Sequence, residues 1–544
     1  MAVHNQKYMS TTASGSVRGI IIDVHSRCMY SGIVEWSHGV ITSVRQDDSV
    51  TEDVYIMPGL IDAHVHVESS MLVPSEFARI AVTHGTVATV SDPHEIGNVC
   101  GIEGVKYMID DGARTPFKFA FGAPSCVPAT MFETAGAEIT ASDIRELFRD
   151  QRVRYLSEMM NWPGVLHRDP MVCEKINVAR ECGRVVDGHA PGLRGNDAAA
   201  YASLGISTDH ECVALEEALD KIAAGMKILI REGSAARNFD ALHALLSMHP
   251  ESVMLCCDDI HPDELLLGHI NRLVARACSH GHDLYSVLRA ACVHPVEHYG
   301  LPVGLLRVGD AADFIVVDDL EHMHVAQTWI DGMQVAHNGV ASWSHVQTTA
   351  INNFNIGEIA VADVAYCGPG SRVRAIVAHD GELITGQEIV DINDPDLCKI
   401  VVVNRYHQAP PAVAFIKNVG LSRGAFASTV AHDSHNIVAA GTNDGDIVNA
   451  VNALIRCRGG ISASCEGRTE LLQLEVAGLM SLSIAEDVGR RYTELDALVK
   501  QWGSALRAPF MTLSFMALPV IPSLKLSDKG LFDADRFQFI DVHV

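Results

Sequence analysis

The sequence lacks any apolar run that approaches the roughly 20 residues needed to cross a bilayer. Its first residues, MAVHNQKYMSTTASGS, also lack the apolar core of a signal peptide. We predict instead that residues 1 to about 15 form a disordered tip. Together these absences lead us to expect a cytoplasmic protein without a membrane partner.

Closely spaced cysteine pairs of the CxxC type are also missing. The 14 cysteines are scattered along 544 residues, and only Cys256 and Cys257 are adjacent. This pattern is typical of reduced thiols and argues against a disulfide framework. Internal repeats and low-complexity tracts are absent as well, which argues against a repeat architecture.

Positive charge is scarce in this sequence. Lys and Arg number 41 against 67 Asp and Glu, which gives a formal net charge of −26. A field of that sign repels nucleic acid and anionic membranes, so we expect neither as a partner. Histidine is plentiful at 27 residues, and it is the commonest metal ligand in proteins.

The order of the apolar runs predicts an α/β fold in which a TIM-like (β/α)8 barrel is flanked by a β-sandwich. Eight β-rich runs alternate with helical stretches in the middle of the chain, as in such barrels. The predicted barrel strands are Leu60–His64, Thr86–Ser91, Phe117–Phe121, Tyr155–Met159, Arg184–Asp187, Ile206–His210, Lys227–Arg231 and Val253–Cys257. The predicted domains are the first part of the sandwich at 1–55, the barrel at 56–304, the rest of the sandwich at 305–345, and a C-terminal α/β domain at 346–544.

Ionisable side chains follow almost every predicted barrel strand. His64 and His66 alternate at the end of the first strand, so their imidazoles share a face and can hold one metal ion. The carboxyl ends of the strands of a TIM barrel meet at one mouth, where function sits. The other strand-end residues are Asp92, His94, Glu95, Glu158, His189, Asp209, His210, Glu232, Asp258 and Asp259. Each alone is compatible with a cap or a loop, but together they predict a metal site.

Several longer motifs carry a resemblance to a known family. They are IDAHVHVESSM at 61–71, DPHEI at 92–96, REGSAARN at 231–238, GDAADFIVVD at 309–318 and HDSHNI at 432–437. On these motifs the chain resembles the amidohydrolase superfamily and, within it, the bacterial adenine deaminases. The resemblance covers nearly the whole chain. It implies metal-dependent hydrolysis of adenine to hypoxanthine and ammonia.

The resemblance further implies a centre of two divalent metal ions, Mn(II) or Fe(II), with Zn(II) also compatible with the donor set. The expected metal ligands are His64, His66, Glu158, His189, His210 and Asp258. Many superfamily members bridge the two ions with a carbamylated lysine, but here Glu158 occupies that place and no lysine lies nearby. A carboxylate can span two cations with its two oxygens, so the resemblance implies that Glu158 bridges the two ions.

The same resemblance implies that a metal-bound hydroxide attacks C6 of adenine. Asp258 is the expected catalytic group that moves a proton from this hydroxide to the departing amine, with Asp259 as its competitor. A ring nitrogen must also be protonated, and we favour Glu95 over Glu232 as the acid. The predicted substrate-binding residues are Asp92, His94 and Glu232.

Three alternatives stay open on the sequence. The first is hydrolysis of another purine or of a cyclic amide, because metal ligands are shared among these reactions. The second is a non-catalytic barrel scaffold, although such scaffolds usually lose metal ligands. The third concerns His432 and His435, which form either a flap over the barrel mouth or a turn within the last domain. A homo-oligomer is implied by family likeness only.

Overall fold

The computed structural model describes residues 14–234 and 236–544. The predicted disordered tip falls mainly on residues 1–13, which lie outside the described residues. The described chain opens with four strands of a small sheet, β1 (Gly15–Asp23), β2 (Cys28–Ser37), β3 (Val40–Gln46) and β4 (Tyr55–Pro58). All 14 cysteines lie among the described residues and are free thiols. No helix in this described part of the chain is long and apolar enough to cross a membrane.

Eight parallel strands then close into a barrel. They are β5 (Leu60–Val65), β6 (Thr86–Ser91), β7 (Lys118–Ala123), β8 (Val153–Met159), β9 (Val185–Gly188), β10 (Thr208–Asp209), β11 (Lys227–Arg231) and β12 (Val253–Cys256). Strands β5 to β9 pair in order, as do β10 to β12. Bridges from Val186 to Ile206 and from Val65 to Asp258 join the two groups on both sides. The predicted (β/α)8 fold is confirmed, with strand ends shifted by one or two residues.

Helices cover the outside of the barrel, so its strands are buried on both faces. Strand β6, TVATVS, is buried at every position, which suits its β-branched residues. The helices are α1 (Pro74–Ala81), α2 (His94–Gly112), α3 (Ala141–Leu147), α4 (Trp162–Leu166), α5 (Pro170–Glu181), α6 (Gly195–Ala202), α7 (Leu215–Ala223), α8 (Phe239–Leu242), α9 (Leu245–Met248), α10 (Pro262–Leu267), α11 (Ile270–Ser279), α12 (Leu284–Leu288) and α13 (His294–Tyr299).

The chain leaves the barrel and completes the small sheet. The added strands are β13 (Phe314–Asp319), β14 (His324–Ile330), β15 (Met333–His337) and β16 (Val340–Ala341). Strand β13 pairs with β4, so one eight-stranded sheet is built from both flanks of the barrel, as predicted. This sheet curls on itself: Trp36 on β2 lies 5.3 Å from Phe314 on β13 and 5.0 Å from Trp329 on β14, measured between ring centroids.

The C-terminal part contains an eight-stranded, mainly antiparallel sheet with helices on both faces, and its last three strands form a separate antiparallel sheet. Its elements are β17 (Arg372–Val377), β18 (Gly386–Asp391), β19 (Cys398–Val403), β20 (Ala412–Lys417), β21 (Ala425–Ser428), β22 (Ile437–Gly441), α14 (Asp444–Cys457), β23 (Gly460–Cys465), β24 (Arg468–Gln473), α15 (Ala485–Gln501), α16 (Pro509–Phe515), β25 (Leu524–Ser527), β26 (Gly530–Asp533) and β27 (Gln538–Phe539). Helix α15 packs against α10 of the barrel, which brings this domain to the barrel mouth.

A buried lysine on β25 is expected to make stability depend on pH. The Nζ atom of Lys525 donates to the backbone oxygens of Leu383, at 2.6 Å, and Phe515, at 3.0 Å. Burial lowers the pKa of Lys525 from 10.5 to about 7. The unfolded chain therefore binds one more proton than the folded chain between about pH 7 and pH 10, and stability rises with pH over that range.

Replacing Lys525 by methionine should remove this dependence. The free energy of unfolding of the wild type, relative to that of the Lys525→Met variant, is expected to rise by about 1.4 kcal/mol per pH unit between pH 7.5 and 9.5. Urea denaturation at several pH values measures it. Lys106, which is only partly buried and pairs with surface glutamates, is replaced in the same way as the control. A difference in the free energy of unfolding between wild type and Lys525→Met that does not change with pH would contradict the prediction.

Candidate metal centre

Closure of the barrel places an aspartate beside the two histidines of the HVH motif. The backbone N–H of Asp258 donates to the oxygen of His64 at 2.9 Å, and that of His66 donates to the oxygen of Asp258 at 3.0 Å. Asp258 has a φ of 61°, a conformation that is uncommon for a non-glycine residue. Its Oδ1 atom lies 3.4 Å from Nε2 of His64 and 3.3 Å from Nε2 of His66. Three donor groups thus converge at the junction of β5 and β12.

Glu158, at the end of β8, lies between two pairs of histidines. Its Oε1 atom is 3.3 Å from Nε2 of His66. Its Oε2 atom is 2.6 Å from Nδ1 of His189 and 3.1 Å from Nε2 of His210. The imidazoles of His64 and His210 stack with centroids 4.1 Å apart, which closes the ring of ligands. One carboxylate oxygen therefore faces each side, as a bridge between two cations requires.

Unpaired nitrogens in this cluster indicate a metal centre. Both ring nitrogens of His64 are buried and have no hydrogen-bond partner in the described chain, and the same holds for Nδ1 of His94. Buried polar atoms are nearly always paired, so these unpaired nitrogens are available to a ligand such as a cation. Two sets of three donor atoms, each within 4.8 Å of one another, are His64, His210 and Asp258, and Glu158, His189 and His210. Imidazole and carboxylate donors suit divalent transition metals.

The charges of the cluster keep its carboxylates ionised. Burial by itself would raise the pKa of Glu158, but the histidines around it, His189 first among them, hold it well below its usual range. Burial would likewise raise the pKa of Asp258, and Arg231 and His64 hold it well below normal. Ionised carboxylates are the form that binds cations, so the electrostatics agree with the geometry.

Arg231 and Glu211 support this centre, and neither of them is among the site residues predicted from the sequence. Nη1 of Arg231 donates to Oδ2 of Asp258 at 2.7 Å, and the guanidinium also pairs with both oxygens of Glu211. Glu211 lies 3.5 Å from Nε2 of His210. Both side chains are buried. The sequence feature that could have identified Glu211 is its position directly after His210, at the end of a strand.

Of the remaining predicted site residues, some line the pocket and others lie outside it. Oδ1 of Asp92 accepts from the backbone N–H of His94 at 3.1 Å, and its Oδ2 accepts from that of Glu158 at 3.3 Å, so Asp92 lies behind the pocket. His94 and Glu95 line the pocket. Glu232 lies elsewhere, with its Oε1 atom 2.6 Å from Nη1 of Arg276. It follows Arg231 in an extended segment, so its side chain points to the opposite side.

A loop of the C-terminal domain covers the pocket. This segment, His432–Asn436, lies in the connection from β21 to β22, and we call it the roof loop. The Nδ1 atom of His432 and the Nε2 atom of His435 each contact one carboxylate oxygen of Glu95. His432 and Asp433 line the pocket. The loop therefore reaches over the barrel mouth, which is the first of the two positions considered for these histidines.

The pocket has one polar and one apolar wall. Metal-centre and roof-loop side chains form the polar wall. The apolar wall is formed by Met160, Leu383, Phe515, Leu518, Val520 and Ile521. Most of this wall comes from the C-terminal domain, and Lys525 holds the backbone of two of its members. A small, flat, mostly apolar molecule with a few polar atoms on its edge suits such a pocket.

Fold and site together define a hydrolase of the amidohydrolase type with a metal centre. The model of the amidohydrolase family matches residues 55–335, and that of the adenine deaminase C-terminal domain matches residues 378–538. An adenine deaminase of Salinibacter ruber is 54% identical over 97% of this chain and 99% of its own length. One of Methanosarcina barkeri is 51% identical over 96% of this chain and 98% of its own. The chain belongs to the adenine deaminase family.

Proposed function

We propose that this chain hydrolyses adenine to hypoxanthine and ammonia. The main observation in support is that buried side chains able to ligate metal lie at the barrel mouth. They face an apolar wall that the C-terminal domain supplies. Relatives named adenine deaminase match this chain over nearly its full length, so they span both the barrel and the C-terminal domain. The pocket thus offers metal ligands on one side and a surface for a flat purine on the other.

We assign two divalent ions to the centre. His64, His66 and Asp258 would hold one ion, His189 and His210 the other, and Glu158 would lie between them. Mn(II) and Fe(II) are the preferred ions, and Zn(II) is compatible with the same donors. When bound, the ions supply the Lewis acidity that activates water for attack near neutral pH. The opposed oxygens of Glu158 support this assignment.

Asp258 is positioned to move a proton during the reaction. Water adds a hydroxyl group to C6 and releases its other proton. N1 takes up a proton from the pair formed by Glu95 and His432, and the proton released by water restores that pair by the end of the turnover. The C6–N bond then breaks, and a proton from the new hydroxyl leaves with ammonia. Arg231 holds Oδ2 of Asp258, which leaves Oδ1 facing the pocket histidines to accept and return that proton. Asp259 is held by Ser69, whose Oγ donates to Oδ1 at 2.5 Å, and this favours Asp258 for the task.

In this proposal, the pair formed by Glu95 and His432 supplies the proton for N1 of adenine. Burial would raise the pKa of Glu95, but His432 and His435 hold it well below its usual range. Burial lowers the pKa of His432, whereas Glu95 raises it, to about 9. At neutral pH the pair therefore holds a proton on the imidazole. Glu95 then acts as the contact through which this proton reaches the ring.

The deciding experiment follows the products of a panel of substrates. Purified protein loaded with Mn(II) or Fe(II) is incubated with adenine, other purines, and cyclic amides such as hydantoin. We expect equal amounts of ammonia and hypoxanthine from adenine, and much slower turnover of the rest. Turnover of another compound in preference to adenine would indicate the first alternative function. Absence of bound metal after loading would favour a scaffold.

Glu211 and Glu232 provide a matched pair of variants. Glu211→Gln leaves Arg231 buried with less compensation and loosens Asp258, so kcat/KM for adenine should fall by about tenfold or more. Glu232→Gln, outside the pocket, should change kcat/KM by about twofold or less. Steady-state kinetics on both variants measure this contrast. A larger loss in Glu232→Gln than in Glu211→Gln would restore Glu232 as a substrate residue.

The assembly state is a separate prediction. We infer a homo-oligomer from family likeness, with adenine as the small-molecule partner and no nucleic acid or membrane involved. Light scattering on the purified chain would give the mass directly. A mass equal to one chain of 58.8 kDa would contradict this inference.

A further inference from the structure

A second group of histidines lies on the outside of the barrel. His243 follows α8, His280 follows α11, and His282 precedes α12. The Nδ1 atom of His243 and the Nε2 atom of His282 are 2.9 Å apart. Ser247 on α9 fixes the second ring, with its Oγ atom 2.8 Å from Nδ1 of His282. We call His243, His280 and His282 the outer histidine group.

The spacing of these rings resembles that in the metal centre. Ring centroids of His64 and His66 lie 4.9 Å apart. In the outer group, the centroid of His243 lies 4.8 Å from that of His280 and 5.2 Å from that of His282. Two nitrogens about 2.1 Å from one ion, at a right angle, are about 3.0 Å apart. The two ring nitrogens are hydrogen-bonded to each other at 2.9 Å, which is close to that distance, and a bound ion would replace the proton between them.

The surroundings favour a neutral imidazole at His282, and an ion can reach the group. Burial lowers the pKa of His282, and the adjacent His243 and His280 lower it further. His280 is exposed and the other two are half-buried, so solvent has access. The nearby Arg276 is paired with Asp240 at 2.7 Å, which reduces its repulsion of a cation. The net charge of −26 favours cations over the surface as a whole.

We propose that the outer histidine group binds one transition-metal ion, such as Ni(II) or Zn(II), through three imidazoles. The ion would join the α8–α9 segment, which carries His243, to the turn between α11 and α12, which carries the other two. This site is distinct from the metal centre at the barrel mouth and does not depend on the proposed function.

The test counts additional ions on untagged, Mn(II)-loaded protein. Ni(II) is added by equilibrium dialysis, and both metals are measured by elemental analysis. Wild type should bind about one more Ni(II) per chain than the double variant His280→Ala, His282→Ala. Wild type should also be retained on immobilised Ni(II). The double variant should elute at an imidazole concentration at least about tenfold lower than wild type. Deaminase activity and Mn(II) content should be equal in both.

Two further variants keep the outcome decisive. His280→Ala removes an exposed side chain and should fold normally while weakening Ni(II) binding. His322→Ala removes an exposed histidine elsewhere and should bind Ni(II) like wild type. Equal Ni(II) binding by wild type and the double variant would overturn the proposal, and so would an equal loss in His322→Ala.

Discussion

Replacing Glu158 by glutamine is expected to lower kcat/KM for adenine by at least about 10³-fold and to reduce bound metal from about two ions per chain to one or none. Glutamine keeps the shape of the side chain but removes its charge and one acceptor oxygen. The two oxygens of Glu158 face opposite sides of the centre, toward His66 and toward His189. The amide cannot serve both sides, so the bridge is lost.

Elemental analysis and steady-state kinetics measure both effects in the same preparation. Glu146→Gln is the matched control, because this exposed glutamate pairs only with Lys106 on the surface, at 3.0 Å. A Glu158→Gln variant that keeps two ions and activity within about tenfold of wild type would show that this carboxylate does not bridge.

Removing both roof-loop histidines is expected to have the second large effect. In the double variant His432→Ala, His435→Ala, the buried carboxylate of Glu95 loses both of its hydrogen-bond partners. The remaining imidazole, that of His94, lies farther away, with Nε2 at 3.6 Å from Oε1. An uncompensated buried charge costs several kcal/mol, so Glu95 should take up a proton or turn away. We expect kcat/KM for adenine to fall by about 10²-fold or more, with metal content unchanged.

The contrast between activity and metal content separates this effect from general damage. His407→Ala, an exposed histidine in the same domain, is the control and should behave like wild type. Fluorescence and circular dichroism would check that the double variant is folded. Full activity in the double variant would mean that the roof loop only packs the two domains together.

The barrel part of the site could be predicted from sequence because the fold constrains it. Parallel strands in a closed barrel end at one mouth, so residues far apart in sequence, such as His64 and Glu158, had to meet there. The eight strands were visible as β-rich runs, and their order left little choice of topology. Family likeness then suggested which strand-end residues would hold metal.

Other parts of the site depended on orientation that a sequence does not display. Arg231 ends β11 and Glu232 follows it, and the structure shows that the first turns toward Asp258 and the second toward Arg276. Glu211 was hidden for a similar reason, since a residue next to a ligand usually points away from it. The apolar wall required knowing how the C-terminal domain docks on the barrel, and no local pattern encodes that.

Anomalous diffraction from crystals of the Mn(II)-loaded protein tests the central claim most directly. Two peaks should appear on either side of the Glu158 carboxylate, one beside His64 and His66 and the other beside His189 and His210. A single peak away from Glu158, or none in fully loaded crystals, would contradict the account of a two-metal deaminase centre.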